Sequence, residues 1–103
     1  MEVKDRLFGK SKSIILSIQE LCWRAVKEYT PEVNAVIIEK IIDYVHIEHL
    51  LDGMLDFCFN EDMLNLFKKL CRYYYHINPE GTISYINAYR ELWDNDYNDG
   101  DDT

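Results

Sequence analysis

Residues 30–58 read TPEVNAVIIEKIIDYVHIEHLLDGMLDFC, and the spacing of their apolar positions decides the fold class. Val33, Val36, Ile37, Ile41 and Tyr44 fall three and four apart, and Ile47, Leu50, Leu51, Met54, Leu55 and Cys58 continue the rhythm. That is the period of an α-helix, which brings positions i, i+3 and i+4 onto one face. A strand would alternate every second residue, and no long alternation occurs in the chain. Ile38, Ile42 and Val45 widen the stripe, which predicts a central helix contacted from two sides. Thr30-Pro31-Glu32 carries the marks of a helix start: a hydroxyl for free amides, a proline for the first turn and an acid against the positive end of the dipole. The spacing predicts one helix over 31–44 and another over 46–57, with a bend between them, since a single helix over both would be long for a small domain.

On the N-terminal side, Ser11 or Ser13 can cap a helix over 11–29. Its apolar residues are Ile14, Ile15, Ile18, Leu21, Cys22, Ala25, Val26 and Tyr29, with Trp23 at the edge of the stripe. On the C-terminal side, Asn60-Glu61-Asp62 opens a helix that reaches about Tyr75 and buries Met63, Leu64, Phe67, Leu70, Cys71 and Tyr74. Asn78-Pro79-Glu80 opens a last helix by the same logic, ending near Asp94, with Ile83, Ile86, Ala88, Tyr89, Leu92 and Trp93 available for its buried face. The expected architecture is all-α: a single-domain bundle of about five helices over 1–94, followed by a disordered acidic tail over 95–103.

A chain of 103 residues, 48% of them apolar, can bury a core without disulfides or metals. Four glycines and two prolines are too few for a loop-rich β fold. Cys22, Cys58 and Cys71 are odd in number, form no CxxC pair and lie within apolar helical patterns. They read as buried free thiols in a reducing compartment. Residues 1–12 are polar and of mixed charge, unlike a signal peptide, and no apolar run reaches the roughly 20 residues that span a bilayer. The expectation is a cytoplasmic protein without membrane contact.

The net charge of −8 is unevenly placed. Residues 28–62 hold nine acids against Lys40 alone, and residues 94–103 hold five more acids, while the remaining segments are mildly basic. Such a chain repels nucleic acid and favours a basic partner. Glu48, Asp52 and Asp56 recur at i, i+4 and i+8, an 80° sector beside the apolar one. Glu39 and Asp43 repeat the spacing one helix earlier. Like charges at i, i+4 destabilise a helix by a few tenths of a kcal/mol per pair, and only Lys40 is placed to relieve them. An ordinary solvated face accounts for such acids; a docking surface accounts for them without interspersed lysines. Tyr73-Tyr74-Tyr75 point in three directions on one helix, one into the core and two at its margin, where tyrosine suits an interface. The expected partner-binding residues are Glu39, Asp43, Glu48, Asp52, Asp56, Tyr73 and Tyr75.

No catalytic constellation is legible, and the expectation is a non-enzyme without cofactor or metal. The three thiols sit in core-like positions, where they are inert. No glycine-rich phosphate loop occurs. His46-x-x-His49, beside Glu48 and Asp52, is a histidine pair at i, i+3 that could share a metal in a small enzyme or sensor. It lacks the HExxH spacing and a third ligand, so two edge histidines on an acidic helix account for it.

The C-terminal quarter, Asn78-Pro79-x-x-Thr82-x-x-Tyr85-x-x-x-Tyr89-Arg90-x-x-Trp93 with acids after it, resembles the ends of small helical immunity proteins from bacterial polymorphic-toxin systems, the contact-dependent growth inhibition group in particular. The resemblance implies a cytoplasmic antitoxin that binds a cognate toxin domain, often a nuclease, and covers its active site. A nuclease needs a cationic cleft for phosphate, and an acidic helical face can fill one. The competing expectation is a phage-type nucleic-acid mimic that inhibits a host defence enzyme, such as an anti-restriction or anti-CRISPR protein.

Overall fold

The computed structural model describes residues 2–94, with the side chains of Ile14 and of Leu16 onward. Within them the fold is all-helical: α1 (Glu2–Ile38), α2 (Tyr44–Leu55), α3 (Glu61–Tyr75) and α4 (Pro79–Trp93), with no strand among the described residues. The expected tail over 95–103 lies outside the described residues.

Four helices replace the expected five because α1 runs unbroken through Pro31. Thr30 does not cap a new helix; its hydroxyl donates backward to the Val26 carbonyl at 2.6 Å. Proline removes the amide that would have bonded the Lys27 carbonyl, and Lys27 is exposed, so water can take that place. The signature of a helix start is thus also tolerated on the wet side of a helix interior.

The chain turns earlier than expected, over 39–43. Lys40 adopts φ 57°, the left-handed region. Its amide bonds Ile37 O at 3.3 Å, and the Ile41 amide reaches back to Val36 O at 3.0 Å. These two bonds are the Schellman closure of a helix end, which usually places glycine where Lys40 stands. Asp43 then caps α2, accepting from the amides of Val45 at 3.1 Å and His46 at 3.4 Å. Helix α3 begins where Asn60 accepts from Met63 N at 3.0 Å, and α4 where Asn78 accepts from Gly81 N at 3.0 Å, both as their asparagines predict.

One core joins the helices. Val33 and Val36 of α1, Ile47, Leu50, Leu51 and Met54 of α2, and Met63, Phe67, Leu70 and Tyr74 of α3 are buried in it. The 37 residues of α1 make a rod of about 55 Å, far longer than the helices of 12 and 15 residues beside it. Among the described side chains of α1, Ile14, Ile18 and Leu21 are exposed, contrary to their expected burial, and the first buried ones are Cys22 and Ala25. Ile38, Ile42 and Val45 are exposed too, so their wide stripe is not a second packing face.

Helix α4 is the other departure. Its single buried residue is Thr82; Ile83, Ile86, Leu92 and Trp93, expected inside, are exposed. Partial burial of Tyr85, Ala88 and Tyr89 attaches it instead, together with polar aromatic tips. The Trp93 indole donates to Leu55 O at 2.9 Å, and its ring packs on Phe59 at 5.3 Å between centroids.

Candidate partner-binding surface

The acidic residues singled out by sequence divide into two sets. Glu48 is half-buried and accepts the phenolic hydrogen of Tyr74, which also receives the Asn78 side-chain amide at 3.0 Å. Burial, then the bond to Glu48, pushes the Tyr74 phenol up to about 12. Asp52 is exposed but accepts from the Tyr85 hydroxyl at 2.7 Å. The Tyr85 phenol is likewise pushed up, by burial first and then by Asp52. These two carboxylates of the α2 stripe are therefore joints between helices.

The second set carries no such duty. Glu39 is exposed in the turn after α1, and Asp56 is exposed at the C-terminal end of α2. An acid there faces the negative end of the helix dipole, at a cost of about 0.3–1 kcal/mol. Asp56 also joins Glu28 and Glu32 of α1 around Tyr29, whose phenol is raised by burial first and then by Glu32, Glu28 and Asp56. Asp43 is exposed and serves as the α2 cap. Since Glu39 lies in the turn and Asp43 is a cap, the carboxylate spacing of α2 is not continued along a helix into α1.

The tyrosine triplet divides as its spacing predicts. Tyr74 is fully buried, Tyr73 is half-buried and donates to Ile41 O at 2.7 Å, and Tyr75 is exposed. Tyr73 thus holds the α1–α2 elbow in place.

The surface that sequence reasoning missed is that elbow. Ile38, Ile42 and Val45 are 77%, 70% and 79% exposed, and Tyr44 is exposed beside them. Glu39 and Asp43 alternate with them in the same short stretch. A signal was present, namely an apolar run too wide for one helix face, and it was assigned to the core. These four large apolar residues are exposed within eight positions of sequence, beside two acids.

A concave feature lies between α3 and α4. It is a groove of about 680 Å³, partly open to solvent, lined by Leu64, Phe67, Ile86 and Tyr89. Cys71 lines it as well, but its thiol is pushed up to about 12 by burial, so it is no nucleophile at neutral pH. All three cysteines are free and buried. Among the described residues no three His, Cys, Asp or Glu side chains are grouped to hold a metal, and His46 and His49 gain no third ligand. No helix of the described residues is long and apolar enough to cross a membrane. Compared with family models, with curated proteins and with solved structures, the chain finds no match.

Proposed function

We propose that the protein is a cytoplasmic, non-enzymatic binding protein that blocks a basic partner, an immunity protein against a toxin domain of nuclease type. The observation that supports this most is the elbow, where exposed Ile38, Ile42, Tyr44 and Val45 are interleaved with Glu39 and Asp43. Full burial of an aliphatic side chain is worth about 1.5–3 kcal/mol, so three of them offer a partner more than any one exposed ion pair, about 0–1 kcal/mol. The acids would then set approach rate and choice of partner, and the apolar residues would set lifetime. Asp56, with Glu28 and Glu32 around Tyr29, extends the negative field along α1.

The test is binding to the product of the adjacent reading frame. A basic domain encoded there should co-purify with the chain, and its affinity should fall as salt rises. Glu39→Lys combined with Val45→Asp should weaken binding at least tenfold, about 1.4 kcal/mol, with helicity by circular dichroism unchanged. Absence of any basic partner, or an affinity that both substitutions leave intact, rejects the proposal.

A further inference from the structure

The groove between α3 and α4 has the opposite character from the elbow. Lys68 and Arg72 of α3, His76 at its C-terminal cap and Arg90 of α4 edge it, all exposed, with Asp94 the single acid among the described lining residues. In a chain of net charge −8, cations would be expected to pair with the surplus of acids. Yet among the described residues one ion pair is formed, Arg24 with Glu20, and none involves Lys68, Arg72 or Arg90. An apolar floor edged by cations that pair with no described carboxylate fits an occupant that is both apolar and anionic.

The shape of the groove narrows the choice. Helices α3 and α4 form a hairpin, with Phe67 facing Tyr89 at 6.2 Å between ring centroids. The lining runs from Leu64 on α3 to His76 at its C-terminal cap, about 18 Å along the helix axis. Lys68, Arg72 and His76 recur every four residues, a step of about 6 Å, which is the repeat of one edge of another α-helix. The slot is partly open to solvent, so an alkyl chain lying in it would keep one side in water. A peptide helix covers that side with its own polar face.

We infer that the α3–α4 groove is a docking site for an acidic amphipathic helix of a partner protein, its apolar stripe on Leu64, Ile86 and Tyr89 and its i, i+4 carboxylates along Lys68, Arg72 and Arg90. The site uses none of the elbow residues and stands or falls apart from the antitoxin proposal.

The experiment uses the full chain and a fluorescein-labelled synthetic helix of about 15 residues, with leucines at i, i+3 and i+7 and glutamates at i, i+4 spacing on the adjoining edge. Anisotropy should report saturable binding, and a copy with lysine for each glutamate should not bind. Arg72→Glu with Arg90→Glu should weaken binding at least tenfold. Arg24→Glu with Lys27→Glu, which changes net charge equally outside the groove, should leave it within twofold. If the glutamate pair unfolds the chain, Arg72→Gln with Arg90→Gln serves, with a threefold loss expected. Equal loss in the control pair, equal binding of both peptides, or binding only of a long-chain carboxylate overturns the inference. So does a tenfold gain in affinity on changing Asp96, Asp99, Asp101 and Asp102 to Asn, which would make the chain's own acids the occupant.

Discussion

Tyr85 of α4 donates its phenolic hydrogen to Oδ1 of Asp52 on α2 across 2.7 Å, between residues 33 positions apart in sequence. The same hydroxyl lies 3.4 Å from Glu48 O, so one tyrosine tip ties α4 to two sites on α2. Removing it in Tyr85→Phe should cost about 1 kcal/mol in urea unfolding. The loss should largely vanish in an Asp52→Ala background, where no carboxylate is left to receive the bond. Full additivity of the two changes would show that Asp52 is a free surface acid after all.

Alkaline pH should unfold the protein through a small set of buried acids. The Tyr74 phenol is raised from 10 to about 12, and the Cys58 and Cys71 thiols from 9 to about 12, burial being the largest cause for each. In each case the folded state holds the proton more tightly than the unfolded one. The stability so gained is complete below pH 9 and is lost as pH rises from about 9 to about 12. Denaturant midpoints should therefore be flat near neutrality and fall across that window. Tyr74→Phe should remove only the share of the fall that belongs to this phenol, between about pH 10 and 12, and leave the share of the two thiols. A midpoint unchanged at pH 11 would contradict the burial of all three groups.

Lys40 holds a left-handed backbone with φ 57° at the closure of α1. That conformation costs an L-residue about 1–2 kcal/mol, part of which glycine returns through its greater freedom when unfolded. Lys40→Gly should stabilise the protein by about 0.5–1 kcal/mol. A lower midpoint in the glycine variant would mean that the lysine side chain contributes something the backbone does not reveal.

Gly53 lies inside α2, where glycine costs about 1 kcal/mol relative to alanine. The reason is Tyr29: a Cβ on Gly53 would stand 2.0 Å from its hydroxyl oxygen and 3.0 Å from Cζ. Gly53→Ala should therefore destabilise the wild-type chain by displacing the ring. In a Tyr29→Ala background the same change should stabilise by about 1 kcal/mol. The reversal of sign is the diagnostic; a Gly53→Ala effect of one sign in both backgrounds would refute the close approach.

The parts of the fold legible in sequence were those with local chemical markers. Asn60 and Asn78 each accept from an amide three residues on, and α3 and α4 start where those residues predict. Thr30-Pro31-Glu32 misled because proline fits both a first turn and, on the exposed side of α1, an interior one. The elbow was missed because its left-handed residue is a lysine, which carries none of the signal of glycine or asparagine. The acidic stripe was visible, but Tyr74 and Tyr85, which hold Glu48 and Asp52, lie 26 and 33 positions away. Periodicity describes one helix at a time and is silent on such pairings. It also labelled Ile38, Ile42 and Val45 as core, since hydrophobicity alone does not distinguish a core face from a face kept open.

Helix α4, with Thr82 alone buried, is fastened by a phenol and an indole in addition to the partly buried Tyr85, Ala88 and Tyr89. Bonds of that kind are worth about 0.5–1.5 kcal/mol each net of water. With so little of it buried, α4 is expected to open before α3, its amides exchanging with deuterium earlier than those of α3. Because one wall of the α3–α4 groove is α4 itself, the groove has no existence apart from the closed state. Filling it and latching the helix are then a single equilibrium: whatever occupies the groove slows exchange throughout α4, and whatever loosens α4 weakens the occupant by the same free energy.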